Sequence, residues 1–371
     1  MLQRRKTREI RIGNRRIGAH HPILVQSMTS TLTEDLQGTI AQIRRLEDAG
    51  CEAVRVACPN DEAANNLAAI KKAMRVPLIA DIHFSHRLAL RAIEAGVDKI
   101  RLNPGNIGGK AKVQDITKAA KDRGVSMRIG VNSGSVEKDL LDKYGWPSPE
   151  ALVDSAMRHV EMLEELDFHE FCISIKSTDC QTLVESNREL AGRCEYPLHL
   201  GVTEAGLPGY GSLKSAAGLG ALLLLGIGDT IRVSLASDPG EEIPVCFDIL
   251  KATGRRVTSP ELIACPTCGR IEIDLETLVK DVKNRVESKY PKLPVKISIL
   301  GCVVNGPGEA SEADIGIAGG KGSGVIYRAG KQIKVVKEKE LIGALMEEVE
   351  RFSNEYEAKK IAEAVTTNES Y

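Results

Sequence analysis

The stretch HRLALRAIEAGVDKIRLN, residues 86–103, decides the fold. An amphipathic helical pattern closes on Gly96, and a short β-branched strand, KIRLN, follows at once. Glycine just past the last helical turn is the usual stop signal, because it adopts the left-handed conformation at little steric penalty. The same unit recurs on both sides. Strands are expected at LVQSM (from Leu24), AVRVA (Ala53), PLIADI (Pro77), KIRLN (Lys99), MRIGVN (Met127), FCISIK (Phe171), PLHLGV (Pro197) and TIRVSL (Thr230). Most are separated by one helical pattern. Eight alternating βα units in about 230 residues predict an α/β fold of the (β/α)8 TIM-barrel type, and the count disfavours a doubly wound open sheet. One connection, from Ser133 to Glu170, is longer and carries an extra YGWPSPE turn.

Strand parity sharpens this reading, since alternate side chains of a barrel strand face the interior and the helices. One parity is apolar: Val54 and Val56, Ile100 and Leu102, Ile129 and Val131, Ile173 and Ile175, Ile231 and Val233. The other carries Arg55, Arg101 and Asn103, Arg128 and Asn132, Ser174 and Lys176, Arg232 and Ser234. The apolar set must face the helices, so the polar set faces inward. Four arginines and one lysine then converge, with mainly Asp81 and Glu204 to balance them. Uncompensated buried cations are costly, so the surplus implies an anionic ligand rather than a structural salt-bridge layer. Guanidinium forks suit phosphate oxygens. No P-loop or GxGxxG fingerprint occurs, so the ligand is expected to be small.

Beyond the eighth strand the chain changes character. ELIACPTCGR (261–270) places Cys265 and Cys268 in a C-x-x-C at an expected helix start, with a helix from Ile273 to about Lys289. The strand VKISILG then leads into CVVNGPGEA, beginning at Cys302. The nine cysteines form an odd number without a secretory signal, which reads as thiols or metal ligands rather than disulfides. A zinc site wants four Cys or His ligands, and none follows Cys302. A dithiol needs only the pair and leaves Cys302 unused. A [4Fe–4S] cluster takes thiolates, and three would leave one iron for a weaker donor, with Glu309 nearby. The radical-forming C-x-x-x-C-x-x-C motif is absent. The other six cysteines are dispersed over strands and helices as small hydrophobes. Short strands from Asp314 and a charged helix from about Lys339 complete a small α+β domain, giving expected domains 1–254 and 255–371.

The bulk numbers agree. The chain has 371 residues, 42% hydrophobic and 27% charged, with formal net charge -1. No broad nucleic-acid or membrane surface is expected, and no apolar run is long enough to span a bilayer. The basic N-terminus lacks the apolar core of a signal peptide and reads as a hairpin turning at Gly13-Asn14; a cytoplasmic location follows as an expectation.

Taken together, VQSMT (Val25), ADIHF (Ala80), RLNPGNIG (Arg101), RIGVNSGS (Arg128), HLGVTEAG (His199), GIGDTIRVSL (Gly226), ACPTCGR (Ala264) and GCVVNGPGEA (Gly301) closely resemble the 4-hydroxy-3-methylbut-2-enyl diphosphate synthase family, in its compact two-domain form. The resemblance covers nearly the whole chain. It implies reductive opening of 2-C-methyl-D-erythritol 2,4-cyclodiphosphate in the non-mevalonate isoprenoid route, with two electrons passing through a [4Fe–4S] cluster. It further implies cluster ligands at Cys265, Cys268, Cys302 and Glu309 and an acid/base carboxylate at Glu204. Substrate contacts would fall on Arg55, Arg101, Arg128, Asn132, Lys176, Arg232 and Ser234, with Asn305 beside the cluster. His83 either touches substrate or supports Asp81. Ferredoxin or flavodoxin would deliver electrons to a head-to-tail homodimer with shared sites. Two alternatives are a pterin- or phosphosugar-type barrel transferase with a zinc appendage, and an iron–sulfur sensor of nucleic acid, which the near-neutral charge disfavours.

Overall fold

The computed structural model describes residues 3–18, 20–302, 304, 306–310 and 312–368. The chain divides into two compact units, Met1–Arg256 and Val257–Tyr371. The first ends two residues beyond the boundary read from the sequence. Arg255 Nε donates to the Leu223 carbonyl at 2.6 Å, and Arg256 grips Glu52 with both terminal nitrogens at 2.6 and 2.7 Å.

The first unit opens with the expected hairpin, β1 (Ile10–Ile12) against β2 (Arg15–Ile17), turning at Gly13-Asn14. Eight strands follow: β3 (Leu24–Met28), β4 (Ala53–Ala57), β5 (Leu78–Asp81), β6 (Lys99–Leu102), β7 (Ser126–Asn132), β8 (Phe171–Lys176), β9 (His199–Leu200) and β10 (Thr230–Ile231). Their order is β8-β7-β6-β5-β4-β3-β10-β9, all neighbours parallel. A parallel bridge between Ile173 and Leu198 joins the two ends, so the sheet closes into the predicted barrel. Helices begin where polar caps dictate. The side chains of Asp35, Asn60, Ser85, Ser148 and Asp179 each accept a first-turn backbone N–H. The long connection after β7 holds two helices, Lys138–Tyr144 and Pro149–Glu165.

The apolar strand parity faces outward as read. Val54, Val56, Ile100, Leu102, Ile129, Val131, Ile173, Ile175, Ile231 and Val233 pack in one core with helix residues such as Leu46, Leu67 and Ile93. Ile10, Ile12 and Ile17 of the hairpin pack on Leu24, Ala53, Ile79 and Cys172, an apolar floor at the N-terminal end of the barrel. Cys51 and Cys246 are buried, and burial pushes each thiol up to about 12, so neither is a thiolate at neutral pH.

The second unit is a five-stranded sheet: β11 (Glu261–Ala264), β12 (Lys296–Leu300), β13 (Ile315–Gly320), β14 (Ser323–Arg328) and β15 (Lys331–Lys337), in sequence order. The first three are parallel and the last two antiparallel. Helices Leu275–Lys289 and Leu341–Asn368 cover it through Leu278, Val282 and Val286 and through Leu341, Leu345 and Val349. One local expectation fails: the C-x-x-C is not at a helix start. Cys265 and Cys268 lie in the loop after β11, and the helix begins at Leu275, where Asp274 caps the Thr277 N–H. Pro266 and Gly269 oppose helix over the motif itself, so nucleation waits for that cap. Among the described residues no helix is long and apolar enough to cross a membrane.

Glu52 joins the end of the barrel chain to its first strands, because it also accepts the Val25 N–H at 2.9 Å. Removing it leaves Arg256 with an unmatched charge and Val25 with a lost bond. Glu52→Ala is expected to lower unfolding stability by roughly 2–4 kcal/mol. Denaturant titration checks this; a loss below about 0.5 kcal/mol would mean the pair behaves as an ordinary surface bridge.

Candidate functional site

A cavity of about 310 Å³ opens at the end of the barrel where the strands terminate, the usual catalytic end of this fold. Parity and strand length together decide what lines it. Arg55 comes from β4, Arg101 from β6, Arg128 and Asn132 from β7, and Lys176 from β8. Arg232 and Ser234 follow β10, His83 follows β5 and Glu204 follows β9. All nine barrel positions read from the sequence meet here. Asn305 lies outside the described residues.

Such long side chains fit only because the facing positions are bare. A Cβ at Gly130 would stand 3.0 Å from Arg101 Nε, and one at Gly201 would stand 2.5 Å from Lys176 Nζ. Both glycines share the inward parity of their strands, so each yields its volume to a cation.

The charges are only partly balanced. Asp81 bridges Arg55 at 3.5 Å and Arg101 at 3.1 Å, and His83 lies 3.6 Å from the same carboxylate. Burial alone would raise the Asp81 carboxyl, but Arg55, the His83 hydrogen bond and Arg101 hold it well below the usual carboxylate range. Arg101 Nη1 also meets the His83 ring at 3.2 Å, so His83 stands beside both members of that pair. Arg232 donates to Glu242 from Nε at 3.1 Å and Nη2 at 3.2 Å, and Ser27 and Leu235 bond the same carboxylate.

Arg128 and Lys176 have no carboxylate within ion-pair reach among the described residues. Arg128 is 2% exposed; Nη1 donates to Ser174 Oγ at 3.2 Å and Nε has no partner. Burial first, then repulsion from Arg55 and Arg101, pushes its guanidinium well below the usual range. Burial, then Arg128, Arg55 and Arg232, does the same to the Lys176 amine. Five cations thus share two buried carboxylates, and an arriving anion would remove a strain already present.

Glu204 is the exposed carboxylate at the cavity mouth. Its φ is 52°, left-handed backbone that a side-chain-bearing residue rarely adopts. The chain is pinned on both sides: Thr203 N–H donates to the Ser177 carbonyl at 3.2 Å, and the Gly206 carbonyl accepts from Ala236 at 2.9 Å. Strained backbone held from both sides at a cavity mouth is typical of a positioned functional group.

In the second unit strand pairing brings Cys265 beside the segment that leads to Cys302. Ala264 is in register with Ile299, which sets Cys265 at the end of β11 beside the end of β12, two residues before Cys302. Gly301 N–H donates to Cys265 Sγ at 3.2 Å. Cys268 is exposed, and the Arg270 backbone N–H, with the Arg270 side chain, lowers its thiol. Ala310, beside Glu309, packs with Leu300, and Cys265 lies against that cluster. Amide-bonded sulfur and a lowered thiol are the environment that thiolate ligation needs, so the donors fit an iron–sulfur group. Among the described residues, no three His, Cys, Asp or Glu side chains are already grouped to hold a metal ion.

Sequence reading missed Met28 and Thr203 as parts of the pocket, and Glu242 as the partner of Arg232. Glu242 opens the helix after β10, where no strand parity applies. It also missed Lys99 and His199 inside the barrel, although both share the inward parity of their strands.

Comparison with known proteins agrees with this architecture. The family model "GcpE TIM-barrel domain" matches residues 7–247, and "GcpE protein C-terminal domain" matches 261–351. The 4-hydroxy-3-methylbut-2-en-1-yl diphosphate synthase (flavodoxin) of Geobacillus thermodenitrificans is 51% identical over 360 residues, covering 97% of this chain and 96% of that protein. The enzyme of the same name from Bacillus subtilis is 50% identical over 369 residues, covering 100% of this chain and 97% of that one. Among solved structures, Yersinia pestis dihydropteroate synthase overlays 66% of this chain and 98% of its own at a TM-score of 0.47 and 13% identity. With both of its units matched and near-full-length relatives at half identity, the chain belongs to the GcpE family.

Proposed function

We propose that this chain catalyses the two-electron reductive ring opening and dehydroxylation of 2-C-methyl-D-erythritol 2,4-cyclodiphosphate to 4-hydroxy-3-methylbut-2-enyl diphosphate. The observation that carries the reading is the pair of unmatched buried cations, Arg128 and Lys176, in a small cavity of a GcpE-family barrel. Family membership sets aside the transferase with a zinc appendage.

The barrel side chains bind and orient. Arg128 and Lys176 meet the diphosphate, while Asp81 and Glu242 fix the directions of Arg55, Arg101 and Arg232 before it arrives. Asn132 and Ser234 add neutral polar groups on the cavity wall. Prepaid orientation leaves more of the binding energy for the reacting carbons. Glu204, at the mouth, donates the proton that lets the departing oxygen leave as water. His83 holds the Asp81–Arg101 pair or touches the substrate directly. Cys265, Cys268, Cys302 and Glu309 would hold a [4Fe–4S] cluster, which when bound supplies electrons one at a time. Flavodoxin, named for the relatives, or ferredoxin is the donor class, in a cytoplasmic setting.

A head-to-tail homodimer is part of the proposal. The helix Glu242–Ala252 follows a strand that ends at the cavity face and so runs back from it. Arg255 to Ala264 spans at most about 35 Å at roughly 3.5 Å per residue. Sharing a partner's barrel asks no such full extension.

Arg128→Met should weaken substrate binding by roughly ten- to a hundredfold, since charge-assisted hydrogen bonds are worth about 1.5–3 kcal/mol. The free variant should remain folded; unchanged affinity in calorimetry would reject the phosphate assignment. Glu204→Gln should leave affinity near wild type while kcat falls by about 10²–10⁴. An untouched kcat would move the proton elsewhere. Cys302→Ser should lose most of its iron and visible absorbance, and a wild-type iron content would remove Cys302 from the ligand set. Mixing Glu204→Gln with Cys302→Ser chains should restore activity if sites are shared. No recovery despite demonstrated exchange would argue for self-contained chains.

A further inference from the structure

Below the cavity the barrel carries one more cation. Lys99 begins β6, two residues before Arg101, so strand parity turns both inward. It is completely buried, and its Nζ has no hydrogen-bond partner. In register beside it stand Ile79 of β5 and Ser126 of β7. Ile79 belongs to the apolar floor with Ile10, Ile12 and Ile17, so the layer is closed from that end. The titratable and charged groups facing Lys99 are Arg128 of β7, Arg55 of β4, Cys172 of β8 and His199 of β9. No carboxylate lies within ion-pair reach of Lys99 among the described residues, and Asp81 is already engaged by Arg55 and Arg101.

Apart from the Cys172 thiol, a buried amine in such a layer finds opposite charge in the ligand above it. Resting on the anion-site reading of the cavity, we propose that Lys99 is a positioning charge for the bound diphosphate. It touches no ligand atom, and it takes up a proton from solvent when the anion arrives. Arg128 couples the two, since it lines the cavity and its charge is felt by Lys99.

The electrostatics agree in sign. Burial first brings the Lys99 amine down to about 8; Cys172 opposes it, and Arg128 and then Arg55 add to the lowering. An anion overhead favours the charged form and raises that value. Below pH 8 Lys99 is mostly protonated with or without ligand, and its full attraction is present. Above pH 8 binding must draw in a proton, and the contribution fades as pH passes the bound-state value. The imidazole of His199 does not replace it. Burial, followed by Arg128, Lys176 and Lys99, pushes that ring well below its usual range, so it stays neutral there.

Inorganic pyrophosphate binding by the full-length protein at pH 8, measured calorimetrically in two buffers of different ionisation enthalpy, tests this. Wild type should take up protons on binding. Lys99→Met should take up about half a proton less, the fraction expected for a group titrating near that pH, with Lys176 supplying the remainder. Its affinity at pH 7 should fall roughly tenfold, the scale of a unit charge lost at several ångströms in a protein interior. A merely structural lysine would change melting temperature and leave the proton count alone; the same uptake and affinity in wild type and Lys99→Met overturns the proposal. Should Lys99→Met not fold, wild-type protein with 13Cε-labelled lysines decides. A low-titrating amine that persists in Lys176→Met should shift to higher pH with pyrophosphate, and its absence or immobility would refute the assignment. Wild type that binds no pyrophosphate would remove the cavity reading itself, and this one with it.

Discussion

The structure depends on excess positive charge held inside a barrel. Most barrels of this type fill their interior with branched aliphatics, whose burial stabilises the closed sheet. Here Arg55, Arg101, Arg128, Lys176, Arg232 and Lys99 occupy those inward positions. Two of them, Arg128 and Lys176, are pushed well below their usual ranges by burial and mutual repulsion. The interior therefore works against the fold, and the rest of the unit offsets it. The outward parity of nearly every strand is given to aliphatic packing against the helices, and the hairpin adds three isoleucines beneath.

That compensation explains details that look separate. Gly130 and Gly201 are bare because long cations from neighbouring strands need their volume. Asp81 and Glu242 are buried carboxylates whose positions are set by the arginines they hold, and each serves more than one donor. They stop short of neutralising the layer. Complete neutralisation would give a more stable barrel with a weaker pull on phosphate, since an anion would then have to displace internal partners. On the anion-site reading, the unmatched pair is where stability is given up for binding.

The barrel was legible in the sequence because its signal is periodic and redundant. LVQSM, AVRVA and FCISIK fall on β3, β4 and β8 without a shift, and parity alone placed eight of the cavity side chains, whereas His83 and Glu204 lie beyond their strands. Glu242 was not legible: its partnership with Arg232 arises from the path of a helix after a strand, which no local pattern encodes. Lys99 was within reach, standing two residues before Arg101 on an inward parity. Reading only the strand ends nearest the cavity left it out. The C-x-x-C was misplaced onto a helix start for a chemical reason. The motif tells which atoms bind, whereas the position of the helix is set by Asp274 several residues later.

In the proposed reaction, Glu204 is where the charged interior and the chemistry would be joined. A proton donor beside a cluster of cations would ordinarily be drawn into ion pairing and lose its freedom to donate. Asp81 and Glu242 sit low among the arginines and are consumed by them, whereas Glu204 is kept at the mouth by left-handed backbone fixed through Thr203 and Gly206. Left-handed backbone of this kind costs of order 1 kcal/mol or somewhat more, and the Glu204 carboxylate is exposed at the mouth. In the proposed reaction, the electrostatics that would capture the diphosphate require that the proton donor be restrained by its backbone, and left-handed geometry at Glu204 is the counterpart of the cations below.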